Sequence, residues 1–197
     1  MANTNMYFED NRDLAHDRQE IRVNLVGETL HFATDSGVFS KSQIDYGSRV
    51  LIENFAPTGK TLLDVGSGYG VIGLTLAKKY NLSATLVDVN ARALELSAEN
   101  SEKNNLSAEV LLSDGYAALA GRKFDNVVSN PPIRAGKEVV HHILSGAAEH
   151  LSADGLLWIV IQKKQGAPSA QKKMQEVFGN CEIVARDKGY YILRSRK

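Results

Sequence analysis

The stretch Asp64-Val65-Gly66-Ser67-Gly68-Tyr69-Gly70 decides the fold class that we predict for this chain. An apolar run precedes it at residues 61–63 and a helical pattern of apolar residues follows it at 71–77, which is typical of a strand, a turn and a helix. Glycines at alternate positions allow a sharp turn whose backbone approaches a ligand closely. The spacing Gly68-x-Gly70-x-x-Gly73 also occurs in dinucleotide-binding turns, so the turn alone leaves the identity of the cofactor open.

Short apolar runs alternate with helical patterns over the rest of the chain. The predicted strands cover residues 61–65, 84–88, 108–112, 124–129 and 156–161, and the predicted helices cover 71–79, 90–104, about 138–151 and 171–178. This alternation predicts an α/β fold with helices on both faces of a mostly parallel sheet. Two last strands, at 181–185 and 190–193, predict a hairpin that adds an antiparallel edge.

The N-terminal part has a different pattern. Residues 1–17 lack periodicity, so we expect a disordered or loosely docked segment, in which the adjacent aromatics Tyr7 and Phe8 suggest either a docking anchor or a weakly held tail. Alternation at 21–25 and 30–33 predicts a small β-hairpin with His31 facing solvent. A helix is expected at about 43–55, and we therefore divide the chain into an N-terminal extension, residues 1–42, and a main domain, residues 43–197.

Composition narrows the class of protein. The 197 residues include one cysteine, Cys181, which excludes an intramolecular disulfide, and no metal site is expected. No apolar run approaches the roughly 20 residues that span a membrane, so we expect a cytoplasmic protein, without membrane contact and monomeric.

Charge is unevenly distributed although the formal net charge is +0. Lys and Arg number 14 against 20 Asp and Glu through Gln162, and 9 against 3 after it. These basic residues form either a phosphate-binding face or a solvated rim. They are Lys163, Lys164, Lys172, Lys173, Arg186, Lys188, Arg194, Arg196 and Lys197.

Polar residues follow four of the predicted strands, and ligands of open α/β sheets bind at the carboxyl ends of strands. Asp88, 20 positions after Gly68, can accept hydrogen bonds from both hydroxyls of a ribose, in an adenosyl group or in NAD. Asp64 would repel a pyrophosphate but suits a ligand with an ammonium group. The alternative for both acids is helix capping or turn formation.

Asn130-Pro131-Pro132 follows the fourth strand of the predicted sheet. Two prolines make a stiff loop, because each has a fixed φ and lacks an N–H group. The Asn130 side chain and the Pro131 carbonyl could accept both hydrogens of an exocyclic amine and draw its lone pair out of conjugation. The alternative is an ordinary Asn-Pro turn.

Together, these motifs resemble the class I S-adenosylmethionine-dependent methyltransferases, which have a Rossmann-like seven-stranded sheet. Gly37-Val38-Phe39-Ser40 and Asp45-Tyr46-Gly47 extend the resemblance to the small-domain (MTS) group, which includes guanine-N2 methyltransferases of small-subunit ribosomal RNA. The resemblance implies S-adenosylmethionine as cofactor and ribosomal RNA or the small ribosomal subunit as partner.

The resemblance also implies roles for individual residues. Asn130, Pro131 and Pro132 would be catalytic, and Ile133, Arg134 and Lys137 would contact substrate. Ile133 stands where these enzymes usually have an aromatic residue that stacks on the base. The implied cofactor-binding residues are Asp64, Gly66, Ser67, Gly68, Gly70, Asp88, Val89, Asn90, Asp114, Gly115 and Phe39.

Several alternatives remain open at this point. General considerations favour Phe39 as a core plug, whereas the resemblance places it at the pocket. The same motifs serve protein glutamine N5- and adenine N6-methyltransferases. An NAD-dependent oxidoreductase would leave Asp64 and Asn130 without roles, and a non-catalytic RNA-binding module would retain the fold alone.

Overall fold

A computed structural model describes residues 14–197 of the chain. Tyr7 and Phe8 lie outside the described residues, so their predicted anchoring stays a prediction. The described strands are β1 Gln19–Leu25, β2 Glu28–Thr34, β3 Thr61–Val65, β4 Ser83–Asp88, β5 Glu109–Leu112, β6 Phe124–Ser129, β7 Leu151–Gln162, β8 Glu182–Asp187 and β9 Tyr190–Arg196. The α-helices are α1 Tyr46–Asn54, α2 Val71–Tyr80, α3 Ala91–Lys103, α4 Lys137–His150 and α5 Ala167–Phe178.

Seven strands form one sheet in the order β5-β4-β3-β6-β7-β9-β8. The five strands β3, β4, β5, β6 and β7 are parallel to one another, whereas β9 runs antiparallel to both β7 and β8. The order reverses between β3 and β6, because the chain first adds strands on one side of β3 and then on the other. Such a reversal opens a crevice at the carboxyl ends of the two strands.

Two apolar cores cover the two faces of this sheet. Alternate residues of a strand enter opposite cores, as Leu62 and Leu63 do in β3. Helices α1, α2 and α3 contribute to the core on one face and α4 and α5 to the core on the other. The predicted α/β class, the antiparallel C-terminal hairpin and the helices on both faces are confirmed, and Trp158 is fully buried in the core.

The N-terminal hairpin, β1 and β2, packs against α3. Asn100 of α3 accepts a hydrogen bond from Ala33 N at 2.6 Å and donates one to Ala33 O at 3.0 Å. Phe32 is fully buried in the same core as α1 to α3, while His31 is exposed, as the alternation predicted. The domain boundary after residue 42 stays a prediction.

Most predicted elements have the expected bounds, and the differences have local causes. Helix α1 begins at Tyr46 instead of residue 43, because the Asp45 side chain caps it by accepting a hydrogen bond from Ser48 N. Helix α5 begins at Ala167, four residues early, because Pro168 fits the first turn of a helix. Strand β7 begins at Leu151, five residues before the predicted start.

Candidate active site

A cavity of about 400 Å³ lies at the carboxyl ends of β3, β4, β5 and β6. The structure brings together residues from all four predicted strand ends around it. The predicted residues that line the cavity are Phe39, Gly66, Ser67, Gly68, Asp88, Val89, Asp114, Gly115, Asn130, Pro131 and Pro132.

The glycine turn forms one wall of this cavity with its backbone. Gly66 and Gly68 have φ of 71° and 58°, in the left-handed region that favours glycine. A Cβ built on either glycine would meet no atom within 4 Å, so both positions face open space. The N–H group of Gly68 donates to Asp88 Oδ2 at 2.8 Å, and Ser97 of α3 donates to the Gly68 carbonyl at 2.9 Å. The turn is therefore held open toward the cavity.

Two predicted cofactor residues lie beneath the turn and do not line the cavity. Asp64 is 1% exposed, and its Oδ2 accepts a hydrogen bond from Gly73 N at 2.8 Å. The pKa of Asp64 is raised to about 7, mainly because the carboxyl is buried; the Gly73 hydrogen bond lowers the pKa and the charge of Asp88 makes a smaller raising contribution. A Cβ on Gly70 would lie 2.8 Å from Leu74, so this glycine permits close packing of helix on sheet.

Buried polar atoms near the turn have no partner among residues 14–197. Asp64 Oδ1 and Ser67 Oγ are inaccessible to solvent and make no hydrogen bond within that part of the chain. Buried acceptors and hydroxyls without partners destabilise a fold unless a ligand or water satisfies them. Ser67 lines the cavity, so a ligand that hydrogen-bonds with its hydroxyl fits this part of the cavity, whereas Asp64 lies beneath it.

Asp88 lies at the end of β4 with both carboxylate oxygens aligned by backbone N–H groups. Oδ1 accepts from Asn90 N at 2.9 Å, while Oδ2 accepts from Gly68 N. Burial raises the pKa of Asp88, and the backbone hydrogen bonds of Asn90, Gly68 and Val89 counteract this. Each oxygen of a carboxylate can accept a second hydrogen bond, so the group remains able to bind hydroxyls.

Asn90 has a supporting position and does not line the cavity. Its Oδ1 caps α3 by accepting a hydrogen bond from Ala93 N at 3.2 Å, and its Nδ2 donates to Gly37 O at 2.9 Å. Tyr69 OH donates to Ser40 O at 3.2 Å. Together these contacts hold the loop that carries Phe39.

Phe39 is 38% exposed and lines the cavity, so the expectation of a core plug is wrong. The loop before α1 is attached to the glycine turn and to Asn90, which keeps the ring at the rim. Val89 and Val139 are also exposed at the cavity. Exposed apolar side chains beside polar groups are typical of a site for a planar organic ligand.

Asn130 is the most specifically oriented side chain of the site. Its Nδ2 donates to Asp45 Oδ2 and to Ser48 Oγ, each at 3.0 Å. Because a carboxylate accepts only, this arrangement determines which end of the Asn130 amide is the NH₂ group. The carbonyl oxygen Oδ1 accepts no hydrogen bond from residues 14–197 and lies at the cavity. Within residues 14–197 the Pro131 carbonyl also makes no hydrogen bond, whereas the Pro132 carbonyl accepts from Ala135 N at 2.9 Å.

The predicted substrate residues Ile133, Arg134 and Lys137 do not line the cavity. Ile133 packs against the core beneath α4 and α5, and Arg134 and Lys137 are exposed. Their contact with substrate stays a prediction. Other residues that line the cavity were not among the predicted site residues: Ser40, Asp45, Ser48, Val65, Tyr69, Val71, Ile72, Ala93, Ser113, Ala135, Val139, His142 and Ile143.

Asp45 and Ser48 are the most informative of the missed residues. The sequence offered one signal, because Asp45 lies in a motif that supported the family resemblance, but that motif gave the residue no role. Its role depends on contact with Asn130, 85 positions away.

Residues 14–197 contain neither a candidate metal-binding group nor a candidate membrane-spanning helix. In that range no group of three or more His, Cys, Asp or Glu side chains could hold a metal ion. Nor does any helix there have the length and apolar character needed to cross a membrane.

Comparison with known protein families gives one match that covers most of the chain. The sequence profile described as "Methyltransferase small domain" matches residues 29–194. The uncharacterized protein YbxB of Bacillus subtilis (strain 168) is 44% identical over 196 residues, which cover 97% of this chain and 98% of that protein. Ribosomal RNA small subunit methyltransferase C of Stutzerimonas stutzeri is 37% identical over 180 residues, covering 88% of this chain.

Among solved structures, the fold resembles the T. thermophilus 16S rRNA N2-methyltransferase RsmC, determined in complex with AdoMet and guanosine. The TM-score is 0.83 at 25% identity, and the match covers 91% of this chain and 50% of that one. The chain thus spans about half the length of this enzyme and of the S. stutzeri methyltransferase, of which it covers 53%. The predicted fold class and the predicted enzyme class, with S-adenosylmethionine as cofactor, are confirmed.

Proposed function

The chain belongs to the methyltransferase small domain family, and from this premise we propose that it transfers a methyl group from S-adenosylmethionine to the exocyclic N2 amine of a guanine in small-subunit ribosomal RNA. The observation that supports this most strongly is the fixed orientation of the Asn130 amide beside the free Pro131 carbonyl. The relatives that are ribosomal RNA methyltransferases, and the guanosine bound to one of them, support the choice of substrate.

The residues of the cavity fit the cofactor in three parts. The open turn at Gly66 and Gly68 would hold the methionine end, with Ser67 Oγ within the same turn. Asp88 would accept hydrogen bonds from the ribose hydroxyls. Asp114 and Gly115 would contact the adenine, and Phe39 and Val89 would cover its ring. When bound, S-adenosylmethionine supplies a methyl group that is electrophilic because it is attached to a sulfonium.

Asn130 and Pro131 would act on the target amine through two hydrogen bonds. Asn130 Oδ1 and the Pro131 carbonyl each accept one amine hydrogen, which turns the nitrogen lone pair away from the aromatic ring and toward the methyl group. The target nitrogen would bond to the methyl carbon as the carbon–sulfur bond breaks and its electron pair returns to sulfur, which becomes a neutral thioether; the nitrogen would then lose one proton to solvent. Asn130 and Pro131 therefore contribute positioning and polarisation, and no covalent bond to the enzyme forms.

Methyl incorporation into ribosomal subunits tests this proposal. Small subunits from cells that lack the protein are incubated with the enzyme and cofactor labelled in the methyl group, and the rRNA is digested and examined by mass spectrometry. We expect one N2-methylguanosine per subunit. Label in methylated glutamine of a ribosomal protein, or in N6-methyladenosine, would contradict the proposal.

The Asn130→Ala variant provides the control for the site. We expect its kcat to fall by at least about 100-fold, because a hydrogen bond that acts in the transition state is lost. Cofactor affinity, measured by calorimetry, should stay within about 3-fold of the wild type, since Asn130 lies at the amine end of the cavity. An Asn130→Ala enzyme with wild-type kcat would contradict the role given to this residue.

A further inference from the structure

Seven of the nine basic residues after Gln162 are divided between opposite edges of the sheet, and the other two, Lys172 and Lys173, lie in α5. Strand β7 is parallel to β6, so Lys163 and Lys164, which follow it, lie at the edge that carries the cavity. Gln162 pairs with Tyr190, so the end of β8, with Arg186, and the following turn, with Lys188, lie at that same edge. The two segments are joined by a hydrogen bond from Lys163 N to Gly189 O at 2.8 Å.

The cations at the other edge of the sheet are paired. Arg194 lies 2.5 Å from Glu182, and Arg196 lies 3.6 Å from Asp154. Lys197 Nζ donates to the Leu151 carbonyl at 3.0 Å. Arg194 and Arg196 are therefore paired with carboxylates of the protein, and Lys197 is held by a backbone carbonyl.

The cations at the cavity edge are not paired in this way. We use the name basic rim for Lys163, Lys164, Arg186 and Lys188, which are all exposed. None of them forms an ion pair with a carboxylate of residues 14–197. The acid of the β8–β9 turn, Asp187, accepts a hydrogen bond from Tyr46 OH at 2.7 Å. The basic rim thus presents positive charge to solvent.

Contacts through α1 connect the basic rim to the loop that carries Asn130. Lys188 Nζ lies 4.6 Å from the centre of the Tyr46 ring, and the Tyr46 and Tyr190 rings lie 5.8 Å apart. Tyr46 follows Asp45, whose carboxylate anchors Asn130. The position of the basic rim relative to Asn130 is therefore set by packed aromatic rings and hydrogen bonds.

We propose that the basic rim binds phosphates of the RNA strand next to the target nucleotide, and this inference rests on the proposed function. The formal net charge of the protein is +0, so general attraction to RNA is absent and a local positive surface must supply it. A base that enters an active site leaves its stack but stays attached to the backbone, whose phosphates then lie at the mouth of the cavity. Phosphate contacts there place the base in register with Asn130.

Binding of a single-stranded RNA oligonucleotide at several salt concentrations tests the inference. The rim variant carries Lys163→Ala and Lys188→Ala, and the control variant carries Arg196→Ala and Lys197→Ala, which removes the same charge from the other edge. We expect the rim variant to bind roughly 10-fold or more weakly and its slope of log K against log salt to decrease by about 1.4, or about 0.7 per lost contact. The control should retain the wild-type slope, and both variants should bind S-adenosylmethionine normally, which shows that they fold.

Three results of the binding experiment would overturn the inference: no salt-dependent binding of RNA by the wild type, equal slopes for the rim and control variants, or displacement of RNA by poly-glutamate as readily as by unlabelled RNA. The last result would indicate an acidic protein as partner. The proposed function can fail separately. If the wild type binds RNA through the basic rim but methylates no guanine, the proposed function is wrong and phosphate binding by the basic rim is still supported. If the wild type methylates guanine and the rim variant has an unchanged KM for subunits, the inferred phosphate binding by the basic rim is wrong.

Discussion

The two loops that face each other across the cavity are built differently. The glycine turn after β3 is held by partners 20 and 29 positions away, at the end of β4 and in the next helix α3, and its shape comes from backbone dihedral angles. The Asn130 loop after β6 is held by Asp45 and Ser48, 85 and 82 positions away. Local sequence therefore determines the cofactor end of the cavity, whereas a distant helix determines the amine end.

The largest expected effect is a change in the free energy of unfolding with pH, caused by Asp64 beneath the glycine turn. Asp64 has a pKa raised from 3.8 to about 7, so between these values the folded protein binds a proton that the unfolded chain has lost. The free energy of unfolding should therefore fall as pH rises from about 4 through 7, by up to about 4 kcal/mol from this one group. Denaturant unfolding of the cofactor-free protein across this range measures the decrease.

The Asp64→Asn variant isolates that contribution, because the amide keeps the size of the side chain and cannot titrate. Its unfolding free energy should depend less on pH than that of the wild type between pH 4 and 7. Parallel curves for the two proteins would show that Asp64 does not titrate in this range.

A second prediction concerns the open face of the turn. In Gly68→Val, a branched side chain has to adopt φ near 58° and extends into the cavity. We expect the affinity for S-adenosylmethionine to fall by about 100-fold or more, as measured by calorimetry, because the turn can no longer approach the ligand.

Gly121→Val is the matched control for this variant. Gly121 also has a left-handed φ, 74°, and open space at Cβ, but it does not line the cavity. It should lose a similar amount of stability and keep its cofactor affinity. Equal loss of affinity in both variants would show that backbone strain, and not the cavity wall, explains the effect.

At the amine end, we expect a smaller effect from Asp45→Asn. Asparagine is as good an N-cap as aspartate, so α1 should remain stable. The charged acceptor for Asn130 Nδ2 is lost, however, and the amide can rotate. A loss of kcat by about 10-fold, with cofactor affinity unchanged, is expected in the methylation assay. A change in cofactor affinity with unchanged kcat would contradict a positioning role.

Ser48→Ala should have the smallest effect and lower kcat by about 3-fold, since it removes a neutral hydrogen-bond partner of Asn130 and leaves the carboxylate of Asp45 in place. Combining it with Asp45→Asn distinguishes positioning from a general effect of α1. If both residues act through Asn130, neither change should lower kcat further in an Asn130→Ala background.

Much of the fold was predictable because its signals are local. Strands β3 and β6 have the predicted bounds, since β3 is followed directly by Gly66 and β6 by Asn130-Pro131, where the extended backbone turns. The predicted start of α5 was wrong because of Pro168. Proline breaks a helix when it lies in the interior but fits the first turn, and only the surrounding structure distinguishes the two cases.

The site was predictable in part. Gly66, Gly68, Asp88, Asp114 and Asn130 meet at one cavity because all of them follow parallel strands, whose carboxyl ends share an edge. Sequence spacing could not show that Gly70 and Asn90 support the cavity from behind, because residues one or two positions apart in a turn point in different directions.

By itself, the sequence determined the strand ends, the glycine turn and the stiff Asn-Pro-Pro loop, because these depend on dihedral preferences of neighbouring residues. The tertiary structure alone decided which way the Asn130 amide points, where Phe39 lies and which basic residues share the edge of the cavity. Each of these depends on a contact between segments far apart in the chain, such as Asp45 with Asn130 and Lys188 with Tyr46. Such contacts form only when the sheet order brings the segments together.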